Sequence, residues 1–103
     1  MKKKPVKKVI VQEKIILQLY VSGMSAKSMT AVENIQRLCG EFLSEAFELE
    51  IIDIYKHPEV AAESHIVFSP SLVKLSPAPK KIMIGTLADT EKLIKALGIT
   101  FKS

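Results

Sequence analysis

The alternation of apolar and polar residues predicts a strand and a helix in the N-terminal half of the chain. Residues 14–21 read KIILQLYV, a near-continuous apolar run that is typical of a central strand covered on both faces. Ser25 can cap a following helix by accepting a hydrogen bond from an otherwise unpaired amide. Over residues 26–46, apolar side chains recur at helical spacing, which predicts an amphipathic helix. Its apolar stripe consists of Ala31, Ile35, Leu38 and Phe42.

The rest of the chain continues with strands and helices. A second strand is predicted over 47–54, so the strand, helix, strand order forms a βαβ unit with parallel strands and a right-handed crossover. A short helix is expected over 59–64, followed by two antiparallel strands over 71–75 and 80–85. Asp89 can cap a last helix. The pattern therefore predicts one α/β domain with the order βαβ, helix, ββα.

Length and charge limit the organisation further. With 103 residues, of which 48% are hydrophobic and 25% charged, the chain has room for one domain. The net charge of +4 comes from the start of the chain, since five of the 15 basic residues lie within positions 2–8. We therefore predict a basic, flexible arm over 1–13 and a folded domain over 14–103. Such an arm can touch phosphates or an acidic protein surface, but more often it is a solvated tail.

Several functional classes find no support in the sequence. The longest apolar run is far shorter than the roughly 20 residues that cross a bilayer, which predicts a cytoplasmic protein without a membrane contact. Nucleic-acid binding is not predicted, because aromatic residues make up only 6% of the chain and the lysines cluster in the arm. His57 and His65 are not spaced as metal ligands with Cys39, so we expect neither a metal nor a cofactor.

No residue pattern typical of an enzyme is present. The four glycines are scattered and form neither a phosphate-binding loop nor a nucleophile elbow. Glu48 and Glu50 share one face of the second strand, where we expect a solvated edge rather than a shared proton. Cys39 is the only cysteine, and its expected role is a small buried helix residue rather than a reactive thiol. We therefore predict that the protein is not an enzyme.

Short motifs along the chain resemble those of the KaiB family. LYVSG at 19–23 is similar to the family's LYVAG, and IDI with KHP within 52–58 is similar to its IDV and KNP. SPSL at 69–72 resembles its TPTL, while KKI at 80–82 and GTL at 85–87 resemble its RRI and GDL. The motifs occur in the family's order, so the chain is identified as a member of this family.

The resemblance covers residues 14–97 and implies a thioredoxin-like fold. In that superfamily, a proline preceded by a cis peptide bond begins a strand beside the partner-binding site, and Pro70 stands at this place. Redox-active thioredoxins carry a CxxC motif between the first strand and the first helix, whereas residues 23–28 read GMSAKS here. Dithiol exchange is therefore excluded.

The resemblance also implies a function in protein binding. KaiB proteins bind the ATPase ring of KaiC as a thioredoxin-like monomer, and they also form a tetramer in which the C-terminal half is rearranged. We therefore expect a KaiC-like ATPase as partner, self-association as a dimer or tetramer, and switching between two folds. One alternative is a KaiC-independent role in stress adaptation, with weak redox chemistry through Cys39. Another is the sensor-domain use of this fold in a histidine kinase.

The family's binding residues carry over only in part. Four positions that are basic in clock-type KaiB proteins hold other residues: Gln18, Thr30, Glu50 and His65. The loss of several charges at one interface weakens or redirects binding. The expected partner-binding residues are Lys56, Lys74, Lys80 and Lys81.

Overall fold

A computed structural model describes residues 14–42 and 47–98, which form four strands and three helices. The predicted arm over 1–13 and the last predicted helical turn over 43–46 lie outside the described residues. Within them, the order of elements is βαβ, α, ββα, which confirms the predicted α/β fold class. None of these three helices is both long and apolar enough to span a bilayer.

The N-terminal half is a βαβ unit. Strand β1 (Ile15–Val21) pairs in parallel with β2 (Phe47–Asp53), and helix α1 (Ala26–Phe42) connects them. Parallel neighbours need a crossover connection of this length. β1 buries side chains on both of its faces because it lies in the interior of the sheet, as its apolar run predicts.

The C-terminal half adds two antiparallel strands after helix α2 (Pro58–Glu63). Strand β3 (Ser71–Ser76) pairs with β1, and β4 (Lys81–Ile84) pairs with β3. The resulting sheet has the order β2-β1-β3-β4. β4 is shorter than predicted at its end, since Gly85 has a φ of +115° and leaves strand geometry.

Side-chain caps fix the ends of two helices. Ser25 Oγ accepts a hydrogen bond from the amide three residues later at 3.3 Å, which confirms the predicted cap of α1. Asp89 Oδ1 does the same for helix α3 (Thr90–Leu97) at 3.1 Å. α3 ends at Gly98, whose φ of +74° suits a residue without a Cβ.

Hydrophobic side chains pack against both faces of the sheet. The larger core lies between the sheet and helices α1 and α3, and it contains Leu17 and Leu97. The smaller core lies under α2 and contains Tyr20, which is fully buried. The Tyr20 hydroxyl forms hydrogen bonds of 2.9 Å with Gln18 Oε1 and with Ser64 Oγ. The sheet is therefore the middle layer of a three-layer domain.

Candidate partner-binding surface

One end of the sheet brings together the loops that follow β1, β2 and β4 and the loop that precedes β3. The amide of Ile54 donates to the carbonyl of Val21 at 2.9 Å, which joins the ends of β1 and β2. The amide of Gly85 donates to the carbonyl of Pro70 at 2.9 Å, which joins the end of β4 to the start of β3. Residues that are distant in sequence therefore meet at this end.

Asp53 holds the turns after β1 and β2 together. Its Oδ1 accepts a hydrogen bond from the amide of Gly23 at 3.1 Å and another from the amide of Tyr55 at 2.9 Å. Gly23 has a φ of +55°, and a Cβ there would come within 3.3 Å of the Tyr55 ring. The positive φ therefore favours glycine in this turn, and a Cβ would also crowd the Tyr55 ring.

Hydroxyl groups line the turn that carries the CxxC motif in redox-active thioredoxins. The Ser28 hydroxyl is buried and accepts a hydrogen bond from the amide of Ser22 at 2.9 Å. The Ser25 hydroxyl donates to Ser28 Oγ at 2.9 Å. These side chains order the turn and the start of α1, and neither of them is a redox group.

The loop before β3 is also fixed by hydrogen bonds. The Ser69–Pro70 peptide bond is cis, at the position that the sequence singled out. The Ser69 hydroxyl donates to the carbonyl of Tyr20 at 3.3 Å, and the Ser71 hydroxyl donates to the carbonyl of Phe68. The Phe68 side chain is thus displayed from an ordered backbone, and it is 61% exposed.

Four large apolar side chains are exposed on the loops at this end of the sheet, and we call them the edge patch. They are between 61% and 82% exposed. The edge patch consists of Met24, Tyr55, Val67 and Phe68. Single exposed apolar residues are ordinary, whereas several at one site are typical of protein-binding surfaces. This role was not predicted from the sequence, although apolar residues inside turns next to glycine and proline are a signal for it.

The lysines predicted to bind a partner lie at two ends of the sheet. Lys56 is exposed in the turn after β2, directly beside Tyr55 of the edge patch. Lys80 and Lys81 are exposed at the start of β4, whereas the edge patch lies beyond the end of this strand. At about 3.3 Å per residue, the two ends of β4 are roughly 10 Å apart. Lys74 is only 4% exposed, on the face of β3 that carries the larger core. The four side chains therefore do not form one continuous basic patch.

The acidic pair on β2 lies on a solvated surface. Glu48 is exposed and forms an ion pair with Lys14, whose Nζ lies 3.3 Å from its Oε2. Glu50 is also exposed and accepts a hydrogen bond from Gln18 Nε2 at 3.2 Å. Each carboxylate has its own polar partner, so the geometry supports a solvated strand face rather than a shared proton.

Cys39 lies within the larger core. Its side chain has no exposed surface, and burial raises the pKa of the thiol from 9.0 to about 11. Desolvation disfavours the charged thiolate, which is the reactive form. Within residues 14–42 and 47–98, no three histidine, cysteine or carboxylate groups lie close enough to hold a metal ion. Among the features of the described surface, the edge patch is therefore the best candidate for a partner-binding site.

The residues that form this surface lie within a match to a known protein family. The family model described as the KaiB domain matches residues 18–99. The chain belongs to the KaiB family. The match runs from β1 past the end of α3 and includes the edge patch and the loop before β3.

Curated KaiB relatives match over most of their length. The chain is 40% identical over 86 residues to the circadian clock protein KaiB3 of Synechocystis sp., covering 84% of each chain. It is 33% identical over 92 residues to the circadian clock oscillator protein KaiB of Prochlorococcus marinus subsp. pastoris, covering 89% of this chain and 86% of the relative. The family is one of circadian clock proteins, and we found no arrangement typical of an enzyme among the described residues.

Solved structures confirm the thioredoxin-like fold. The N-terminal domain of SasA from Synechococcus elongatus superposes with a TM-score of 0.69 at 20% identity, over 91% of this chain and 89% of that domain. A thioredoxin from Fasciola hepatica superposes with a TM-score of 0.68 at 15% identity, over 84% of this chain and 81% of the thioredoxin. At these identities the likeness concerns the fold alone.

Proposed function

We propose that this protein is a non-enzymatic regulatory module that binds a KaiC-type ATPase in the cytoplasm. The observation that carries the proposal is the edge patch, where Met24, Tyr55, Val67 and Phe68 are exposed on loops tied together by hydrogen bonds. Membership of the KaiB family supports the choice of partner.

The hydrogen bonds that hold these loops in place favour tight binding of a partner. Aromatic side chains bury much apolar area and are enriched among the residues that dominate binding energy. Asp53 holds the Tyr55 backbone, and the Ser71 hydroxyl holds that of Phe68. Little backbone entropy is then lost when a partner covers them.

Exposed lysines at the two ends of the sheet support recognition of an acidic partner surface. Lys56 borders the edge patch, while Lys80 and Lys81 lie at the opposite end of the domain. Exposed charges of this kind mainly raise the association rate and select among partners. We assign the edge patch the larger share of the affinity and the lysines the steering.

We also propose that the chain self-associates and switches between this packing and one in which its C-terminal half is rearranged. Leu87, in the loop between β4 and α3, is buried with a φ of +63°, a conformation that costs a non-glycine residue about 1–2 kcal/mol. Backbone strain of this size reduces the free-energy difference between this packing and an alternative packing of the C-terminal half. β4 is an edge strand that exposes Ile82 and Ile84, which offers a surface for self-association.

Reversing the charge of Lys80 and Lys81 together is expected to weaken the complex with the ATPase. The loss should lie mainly in the association rate and should shrink as salt is added, because exposed charges are screened. Surface plasmon resonance with the immobilised ATPase ring measures both rates. Lys92→Glu, an exposed lysine on α3, is the matched control. Unchanged affinity of the Lys80→Glu, Lys81→Glu double variant would refute the role of these lysines.

The alternative role in stress adaptation predicts a different outcome. A KaiC-independent protein would show no measurable ATPase binding, and none of the lysine variants would then change it. Its redox version also requires a reactive thiol, which the burial of Cys39 opposes. The ATPase binding experiment therefore separates the two roles.

A further inference from the structure

A cleft at the end of the sheet opposite the edge patch gathers three lysines. It has a volume of about 410 Å³ and lies between the start of β1, the loop after β3 and the end of α3. Lys74, Lys81 and Lys95 line it, and among residues 14–42 and 47–98 its lining includes no acidic side chain. The remaining lining is mostly apolar and includes Ile15, the loop prolines and Leu97. The described lining of the cleft therefore combines positive charge with apolar surface.

Lys74 is the most unusual of these three lysines. It is only 4% exposed, and a lysine is rarely buried without a partner. Within the described residues, the structure shows one ion pair, between Lys14 and Glu48, and no hydrogen bond from the Lys74 amine. The Lys74 side chain is thus almost covered and lines the cleft, and its amine has no acceptor among the described residues.

The sheet register places a second lysine directly beside it. Lys74 on β3 lies opposite Lys81 on β4, so both side chains are on the same face. Like charges in directly opposite positions destabilise a strand pair. Lys95 adds a third positive charge from the last turn of α3. The helix C-terminus supplies only about half a negative charge, which cannot neutralise three lysines.

We infer that this cleft binds a small anion with two linked phosphates. A single phosphate monoester carries about −1.5 to −2 charges, so two linked phosphates match three lysines. Lysine is a usual phosphate ligand that acts as a point charge, and the apolar lining strengthens the attraction. Free pyrophosphate and a nucleoside diphosphate both present this group. The site is separate from the edge patch and does not depend on the proposed ATPase partner.

Calorimetric titration of the full chain with pyrophosphate at constant ionic strength tests the inference. We expect saturable binding to one site, and Lys74→Met and Lys95→Met should each weaken it about tenfold or more, as loss of a charged hydrogen bond does. Lys92→Met removes an exposed charge from the same helix outside this cleft and should leave the affinity unchanged. Pyrophosphate should also raise the melting temperature of the wild type more than that of Lys74→Met.

Several outcomes would overturn the inference. Absence of saturable binding would do so, and so would equal affinities of Lys74→Met and Lys92→Met, which would assign binding to other lysines such as those at positions 2–8. Titration with ADP distinguishes the sources, since a nucleoside diphosphate site should bind ADP more tightly than pyrophosphate and with the same dependence on Lys74. Lys95→Met tests the site even if Lys74→Met does not fold.

The variant Lys80→Glu distinguishes a failure of the proposed ATPase binding from a failure of the proposed anion site. Lys80 does not line the cleft, so Lys80→Glu should leave pyrophosphate binding unchanged while it weakens the ATPase complex. Loss of pyrophosphate binding in Lys80→Glu would place the anion on the outer surface and contradict the cleft.

Discussion

Replacing Phe68 by serine is expected to weaken binding of the KaiC-type ATPase by about 30-fold or more, the effect of losing a central aromatic contact. Phe68 is 61% exposed, so its side chain contributes little to folding and is available to a partner. Its backbone is held by the Ser71 hydroxyl, a contact that the substitution leaves in place. The change should appear mainly as faster dissociation in surface plasmon resonance.

Leu75→Ser is the matched control for this variant. Leu75 is also exposed and apolar, but it lies near the other end of β3 from the edge patch. We expect this substitution to leave the affinity for the ATPase unchanged. Melting temperatures of both variants should be recorded to exclude unfolding. If both variants bind as the wild type does, the edge patch is not the docking surface.

The Cys39 thiol is expected to react with a disulfide reagent at pH 8 at least about 100-fold more slowly in the folded protein than in the urea-unfolded chain. Burial raises its pKa from 9.0 to about 11, which lowers the thiolate fraction by about this factor. The lack of exposed surface slows the reaction further. The release of thionitrobenzoate measures both rates. Equal rates in the two states would restore the redox version of the stress role.

The same pKa difference makes stability depend on pH. Below pH 9 the thiol is protonated in both states, so its contribution to stability is fully present. Between pH 9 and 11 the unfolded chain loses this proton first, and the free energy of unfolding falls by up to about 2.7 kcal/mol at 1.36 kcal/mol per pH unit. Cys39→Ala removes this term, so the difference between variant and wild type in urea titrations isolates it.

Most of the fold could be predicted from the sequence because the strong signals are local. The apolar run of β1 predicts an interior strand, and the caps Ser25 and Asp89 predict the starts of α1 and α3. The prediction of strand ends that depend on backbone geometry was less accurate. β4 ends before Gly85, whose positive φ cannot be read from apolar periodicity.

Less of the candidate site could be predicted, because burial depends on tertiary packing. The alternating pattern of a short strand does not reveal that Lys74 on β3 is buried, whereas Lys80 is exposed. The edge patch likewise arises where loops distant in sequence meet. That Lys56, Lys74, Lys80 and Lys81 bind a partner stays a prediction, as does the basic arm over 1–13.

The claim that this chain binds a KaiC-type ATPase is tested most directly by light scattering on a gel-filtration column. The protein is measured alone and after hours of incubation with the KaiC-type ATPase of the same organism and ATP. We predict a dimer or tetramer alone and, after incubation, a stable complex of monomers on the ATPase ring. An intact oligomer with no complex would contradict the proposed function.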